Sequence, residues 1–291
     1  MRAVFAALIF LSATPSHAHG EATLDWNGPA LWVHALIVLA AVLYARGLRN
    51  LWSSARPGHG VSLGGAAAFI GGLVLLALLV SEVVERSTRA SFAAHMVQHE
   101  LLMLVVAPLL IAGRPLATWT WALPASTRGP VGRAFAHRGW SVAWTALTSS
   151  LGATITQLAL LAAWHVPAAF DRAASNAWMH ALQHTSFLVP ALAFWWSVAE
   201  ARRRRSAGTA IAALFVTMVT TGALGALLTF APSPWYASAL TPAEALADQQ
   251  LGGLVMWVPG GIAYVLAALW LLAGMLARDA RHERFASAAR P

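Results

Sequence analysis

The chain has no cysteine among its 291 residues. Disulfides, thiolate metal sites and thiol redox relays are therefore excluded, and any metal must be held by histidine, methionine, carboxylate or backbone. Charge is scarce too: Asp, Glu, Lys and Arg make up only 10% of the residues, and the basic excess behind the formal net charge of +8 is all arginine. On a soluble protein that excess would point to nucleic acid. Here it lies in the loops between apolar runs, where membrane orientation accounts for it, so a nucleic-acid partner is set aside. The sequence also lacks any hydrophilic stretch long enough to form a soluble domain of useful size.

What it has is apolar length. The hydrophobic fraction is 58%, and several runs reach about twenty residues, the length a helix rising ~1.5 Å per residue needs to cross ~30 Å of hydrocarbon. The expected fold is an all-α integral membrane protein with seven transmembrane helices at 30–46, 63–81, 92–112, 143–164, 178–198, 208–230 and 251–276. Ahead of them, "MRAVFAALIFLSATPSHAHG" carries one arginine, an apolar stretch too short to span, and small residues Ser16 and Ala18 where a signal peptidase reads. This predicts a cleaved signal peptide over 1–18, a short outer N-terminus over 19–29, a membrane domain over 30–277 and a basic tail over 278–291.

The arginines test that count. Arg46, Arg49 and Arg56 fall in the first loop, Arg114, Arg128, Arg133 and Arg138 in the third, Arg202 to Arg205 in the fifth, and Arg278, Arg281, Arg284 and Arg290 in the tail. The remaining loops hold Arg86, Arg89 and Arg172 beside Glu82, Glu85, Asp171, Glu244 and Asp248. The positive-inside rule then puts the odd loops and the C-terminus in the cytoplasm and the N-terminus outside. A bacterial inner membrane is the expected location. In "WVPGG", 257–261, Pro259 lacks an N–H donor and is expected to kink or open the last helix.

With that orientation, His34, His95, His99, His165, His180 and His184 share one layer near the periplasmic side. "HMVQH" (95–99) and "HALQH" (180–184) both read H-x-x-Q-H, and each places two histidines at i, i+4 on one helical face. Single histidines at a span end, such as His34 and His165, suit the headgroup belt as well as a site. A second histidine one turn deeper, repeated on two parallel helices, needs partners inside the bundle and points to a functional site. Imidazole suits copper, zinc, iron and nickel, and thioether suits Cu(I). Met96, Met103, Met179 and Met256 offer sulfur at similar depth, although methionine at helical spacing is more often packing. Copper matches this donor set best. Glu100 is a candidate acceptor or proton-linked carboxylate behind the ligands, and Gln98 and Gln183 are candidates to orient a ring or bridge helices. Cleavage after Ala18 would also leave His19 with a free α-amine, a chelating nitrogen pair for Cu(II).

"HMVQHELLMLVVAPLLIAGRP" (95–115), "WHVPAAFDRAASNAWMHALQHTSFLVPALAFWW" (164–196) and "DQQLGGLVMWVPGG" (248–261) together resemble the multi-span CtaG family of cytochrome c oxidase assembly factors. Glu100 departs from the resemblance, standing where an apolar residue is expected. The resemblance implies maturation of a haem-copper oxidase through copper handling, with an oxidase subunit and a periplasmic copper chaperone as candidate partners, lipid as the surroundings and no enzymatic activity. Two other readings are open: a haem b electron carrier with histidine axial ligands, or a transporter using the histidines and Glu100 as a proton or ion relay. The cytoplasmic halves of the spans offer such a relay no titratable residue.

Overall fold

The computed structural model describes residues 29–204 and 207–288, and the stretch expected to be a signal peptide, 1–18, and His19 lie outside them. Among the described residues every regular element is helical. α1 (Pro29–Ser54) is followed by α2 (Leu63–Leu79), α3 (Glu82–Ala90) and α4 (Phe92–Leu101); a five-residue π-turn (Leu102–Val106) then leads into α5 (Ala107–Ala112). Next come α6 (Pro115–Ala122), α7 (Ala125–Ala136), α8 (Arg138–Thr148), α9 (Ser150–Trp164) and α10 (Pro167–Ser175). The long helices α11 (Ala177–Arg204), α12 (Ala207–Thr229) and α13 (Pro242–Ala288) complete the chain.

Four segments are each long and apolar enough to cross a membrane: Pro29–Ser54, Phe92–Ala112, Ala207–Thr229 and Pro242–Ala277. Two bent pairs, α2 with α3 at 55° and α8 with α9 at 69°, raise the number to as many as six. The run expected at 178–198 forms the 28-residue α11, ~42 Å long, but two histidines, a glutamine and a tryptophan pair make it too polar to count on composition. The run expected at 143–164 is broken at Ser149. That residue is extended (φ −68°, ψ 152°), and its hydroxyl accepts from Gly152 N, starting a new helix. Pro259 does not end α13, whose helical assignment runs through it.

Close helix approach depends on glycine where a side chain would collide. A Cβ on Gly253 of α13 would lie 2.7 Å from both Thr229 N and Thr229 Oγ1 of α12, and one on Gly225 would lie 2.7 Å from Gly253 O. Small residues let the two backbones touch, the way membrane helices gain packing without a hydrophobic driving force. Gly253→Val is therefore expected to force α12 and α13 apart and to lower stability by roughly 1–3 kcal/mol. Thermal unfolding in detergent checks this, and an unchanged midpoint would contradict it.

The N-terminal half is joined differently. Tyr44 of α1 stacks on Phe69 of α2 at 3.8 Å and donates to Gly113 O at 2.8 Å. Arg114 adopts a left-handed conformation (φ 51°) that reverses the chain before Pro115 opens α6, and its guanidinium donates to Gly60 O. α6 then returns against α1, where Trp119 Nε1 donates to Ala40 O and Asn50 Nδ2 to Trp121 O.

Candidate metal centre

Three elements build the site. α4 begins at Ser91, whose extended backbone and hydroxyl cap Ala94 N. The Asp248 carboxylate, from α13, reinforces that start by accepting from Ser91 Oγ (2.7 Å), Phe92 N (2.6 Å) and Ala93 N (3.2 Å). A carboxylate at a helix N-terminus satisfies unpaired N–H groups and the positive end of the dipole together. The rest of the D-Q-Q triplet holds the loop between α12 and α13: Gln249 Oε1 accepts from Trp235 N (2.7 Å), and Gln250 Nε2 donates to Ala231 O (3.3 Å). Asp248→Ala is expected to fray the first turn of α4 and destabilise the protein by about 1–2 kcal/mol. Faster amide exchange over 92–95, without change in α11, is the measurement that checks it.

His95 and His99 on α4 face His180 and His184 on α11, and all four are buried. Their rings touch: the centroids of His95 and His99 are 4.3 Å apart, His180 and His184 4.1 Å, His95 and His180 5.1 Å, and His99 and His184 5.2 Å. His95, His180 and His184 each bring a ring nitrogen within 4.8 Å of the others. The Nε2 atoms of all four, and Nδ1 of His99, are buried with no hydrogen-bond partner. So many orphaned nitrogens in one place are costly unless something binds them, since each unmet buried polar group costs about 1–3 kcal/mol.

The third element supplies a residue that sequence reasoning counted only as a loop charge. The bend between α2 and α3 lays Glu85 over α11, where its Oε2 lies 3.0 Å from His180 Nδ1 and its Oε1 4.0 Å from His184 Nδ1. A carboxylate at Nδ1 fixes the tautomer with hydrogen there and leaves Nε2 as a free donor, the arrangement found behind metal-bound histidines. The two glutamines of the repeated motif differ. Gln98 Nε2 donates to Glu85 Oε1 (3.2 Å) and Leu79 O (2.6 Å), whereas the Oε1 of the buried Gln183 has no hydrogen-bond partner.

The other sequence candidates lie elsewhere. His165 caps the end of α9 with Nδ1 on Leu161 O (2.8 Å), and its buried Nε2 is unpartnered; it neighbours the quartet without joining its ring contacts. His34 bonds its own helix at Ala30 O (2.7 Å). Met96 and Met256 pack with Phe170, Leu228 and Tyr236, while Met103 and the partly buried Met179 pack in the cluster of Leu161 and Phe187. The Glu100 carboxylate is directed to α13, where a Cβ on Gly260 would lie 2.9 Å from its Oε2. After it, the π-turn leaves Met103 O to accept from Trp195 Nε1 (2.7 Å), tying α11 to the chain just beneath the histidines.

Outside the quartet, a cavity of ≈ 350 Å³ is lined by Phe92, His95, Phe170, His180, Tyr236 and Asp248 among others, so two of the four rings face it. Tyr236 stacks on Phe92 (4.9 Å), packs on Phe170 (4.4 Å) and donates to His165 O (3.1 Å). Burial, and then the Asp171 carboxylate, push its pKa up, which keeps the hydroxyl a donor.

These features define a multi-pass helical membrane protein with a buried histidine cluster beside a cavity. The chain belongs to the cytochrome c oxidase caa3 assembly factor family (Caa3_CtaG), whose sequence profile matches residues 42–278 and so takes in every residue of the quartet and Glu85. Membership implies a part in assembling cytochrome c oxidase. Comparison with curated proteins and with solved structures gives no match.

Proposed function

We propose that this assembly factor holds copper in the cluster of His95, His180 and His184, with His99 beside them, and releases it to an oxidase subunit. The observation that carries this reading is the set of buried, unpartnered Nε2 atoms with Glu85 fixed behind His180. With no cysteine present, imidazole is the strongest copper donor available. The metal is cargo: imidazoles can take it up only as neutral rings, and Glu85 keeps a hydrogen on His180 Nδ1, which directs the metal to Nε2, while placing a counter-charge close by. Haem b is disfavoured because the four rings contact one another, leaving no gap the width of a macrocycle between them. Copper analysis of anaerobically purified protein, beside its visible spectrum, tests the choice. Bound copper without a Soret band is expected, and a Soret band would contradict it.

The proposal extends to topology: seven spans, the N-terminus outside, the tail in the cytoplasm and the cavity open to the periplasm, where a copper chaperone would deliver. The arginine distribution supports it. A phosphatase fused after Pro291 is expected to be inactive and one inserted within 231–241 active. The reverse pattern would move the histidines to the cytoplasmic side.

A further inference from the structure

Between Glu100 and Asp171 the sequence has no acidic residue, yet it carries Arg114, Arg128, Arg133 and Arg138. The central part of this stretch folds as α7 and α8, joined at His137, and neither helix buries a single residue. Their apolar side chains are uncovered: Phe135 is 55% exposed, Trp140 49% and Leu147 53%. On α8, Trp140, Ala143, Trp144 and Leu147 follow the i, i+3, i+4, i+7 spacing of one helical face, and Ser141, Thr145 and Thr148 follow another. Phe135 meets Trp140 edge-on at 5.4 Å, so the aromatic face is shared by both helices.

Position and charge say what covers this face. α8 turns 69° from the apolar α9, so it runs across the direction that α9 takes through the bilayer. Trp144 meets Trp196 of α11 at 5.9 Å. Trp196 lies six residues before Arg202, hence ~9 Å along the helix towards the hydrocarbon from the first residue of the arginine run. That is the depth of an interfacial aromatic belt. Among the described residues, Arg133 and Arg138 form no ion pair. A helix lying in the interface with aromatics on one side and arginines at its margin is matched by lipid carrying negative headgroups.

We infer that α7 and α8 form an interfacial anchor that selects anionic lipid, with Trp140, Trp144 and Leu147 set into the acyl boundary and Arg133 and Arg138 on the headgroup phosphates. The inference is independent of the metal site.

Because the chain has no cysteine, Ala143→Cys gives a unique attachment point for a nitroxide on the apolar face. The full-length protein is placed in nanodiscs of phosphatidylcholine, or of phosphatidylcholine mixed with phosphatidylglycerol, and the label is probed with oxygen and with an aqueous nickel relaxant. Access to oxygen but not to nickel is expected in both. Access to nickel would overturn the anchor, and shielding from both reagents would show a protein neighbour and overturn it equally. Selection is read separately as phosphatidylglycerol retained through detergent extraction and counted by native mass spectrometry. Each arginine near an anionic surface contributes a factor of about five, so the preference should fall roughly twenty-five-fold in the Arg133→Gln/Arg138→Gln variant and return with lysine at both positions. Equal retention by the glutamine variant and the unmodified chain would overturn lipid selection.

Discussion

Replacing His95, His180 and His184 together with alanine is expected to abolish copper binding and oxidase maturation while the protein persists in the membrane. The three nitrogens lie within 4.8 Å of one another on two helices, so no single helix carries the site and none of the three is redundant. His34→Ala should leave both properties intact, since that ring is engaged with Ala30 O of its own helix. The effect on stability separates a binding site from a packing cluster. His99 leaves both ring nitrogens unpaired in a buried position. Exchanging it for leucine, of similar bulk, should make the metal-free protein as stable as before or more stable by about 1–3 kcal/mol. Thermal unfolding in chelator measures this. A large loss of stability in the leucine variant would mean that the rings hold the bundle together and that the orphaned nitrogens have no ligand to serve.

Glu85→Gln is expected to weaken copper binding by about 10–100-fold without unfolding the protein. Glutamine keeps the size of the side chain but loses the charge, and its amide can present nitrogen instead of oxygen to His180. The tautomer that frees Nε2 is then no longer enforced. Glu82, three residues earlier on α3, supplies the comparison. Its side chain is 59% exposed against 13% for Glu85, and it pairs with Arg86 at 3.1 Å in solvent. An exposed pair of this kind contributes at most ~1 kcal/mol, so Glu82→Gln should leave copper affinity unchanged. Competitive titration of both variants against a copper chelator makes the comparison, and equal affinities would remove Glu85 from the site.

The paired histidines were legible in the sequence because i, i+4 spacing guarantees a shared face, and two parallel helices repeating the pattern had to meet or leave it unpaid. The helical class, most element positions and the family resemblance were legible for the same local reasons. Glu85 was not, because its role comes from a bend: Ser81 is extended (φ −78°, ψ 152°) and turns α3 55° from α2, carrying a residue read as a loop charge onto α11. Asp248 was hidden similarly, since it caps a helix that starts more than 150 positions earlier. The apolar run at 143–164 read as continuous because Ser149 sits among other small polar residues, Thr145, Thr148 and Ser150, that carry no break signal of their own, yet its hydroxyl caps a new helix at Gly152. Glu100 illustrates a limit of spacing. Its neighbour His99 belongs to the cluster, while its own carboxylate, ~100° round the helix, is directed to Gly260.

X-ray absorption at the copper edge on the loaded protein tests the central claim most directly. The account predicts nitrogen scatterers with the outer-shell pattern of imidazole and no dominant sulfur shell, lost in the His95, His180 and His184 triple variant. A spectrum dominated by sulfur, or one unchanged in the triple variant, would contradict it.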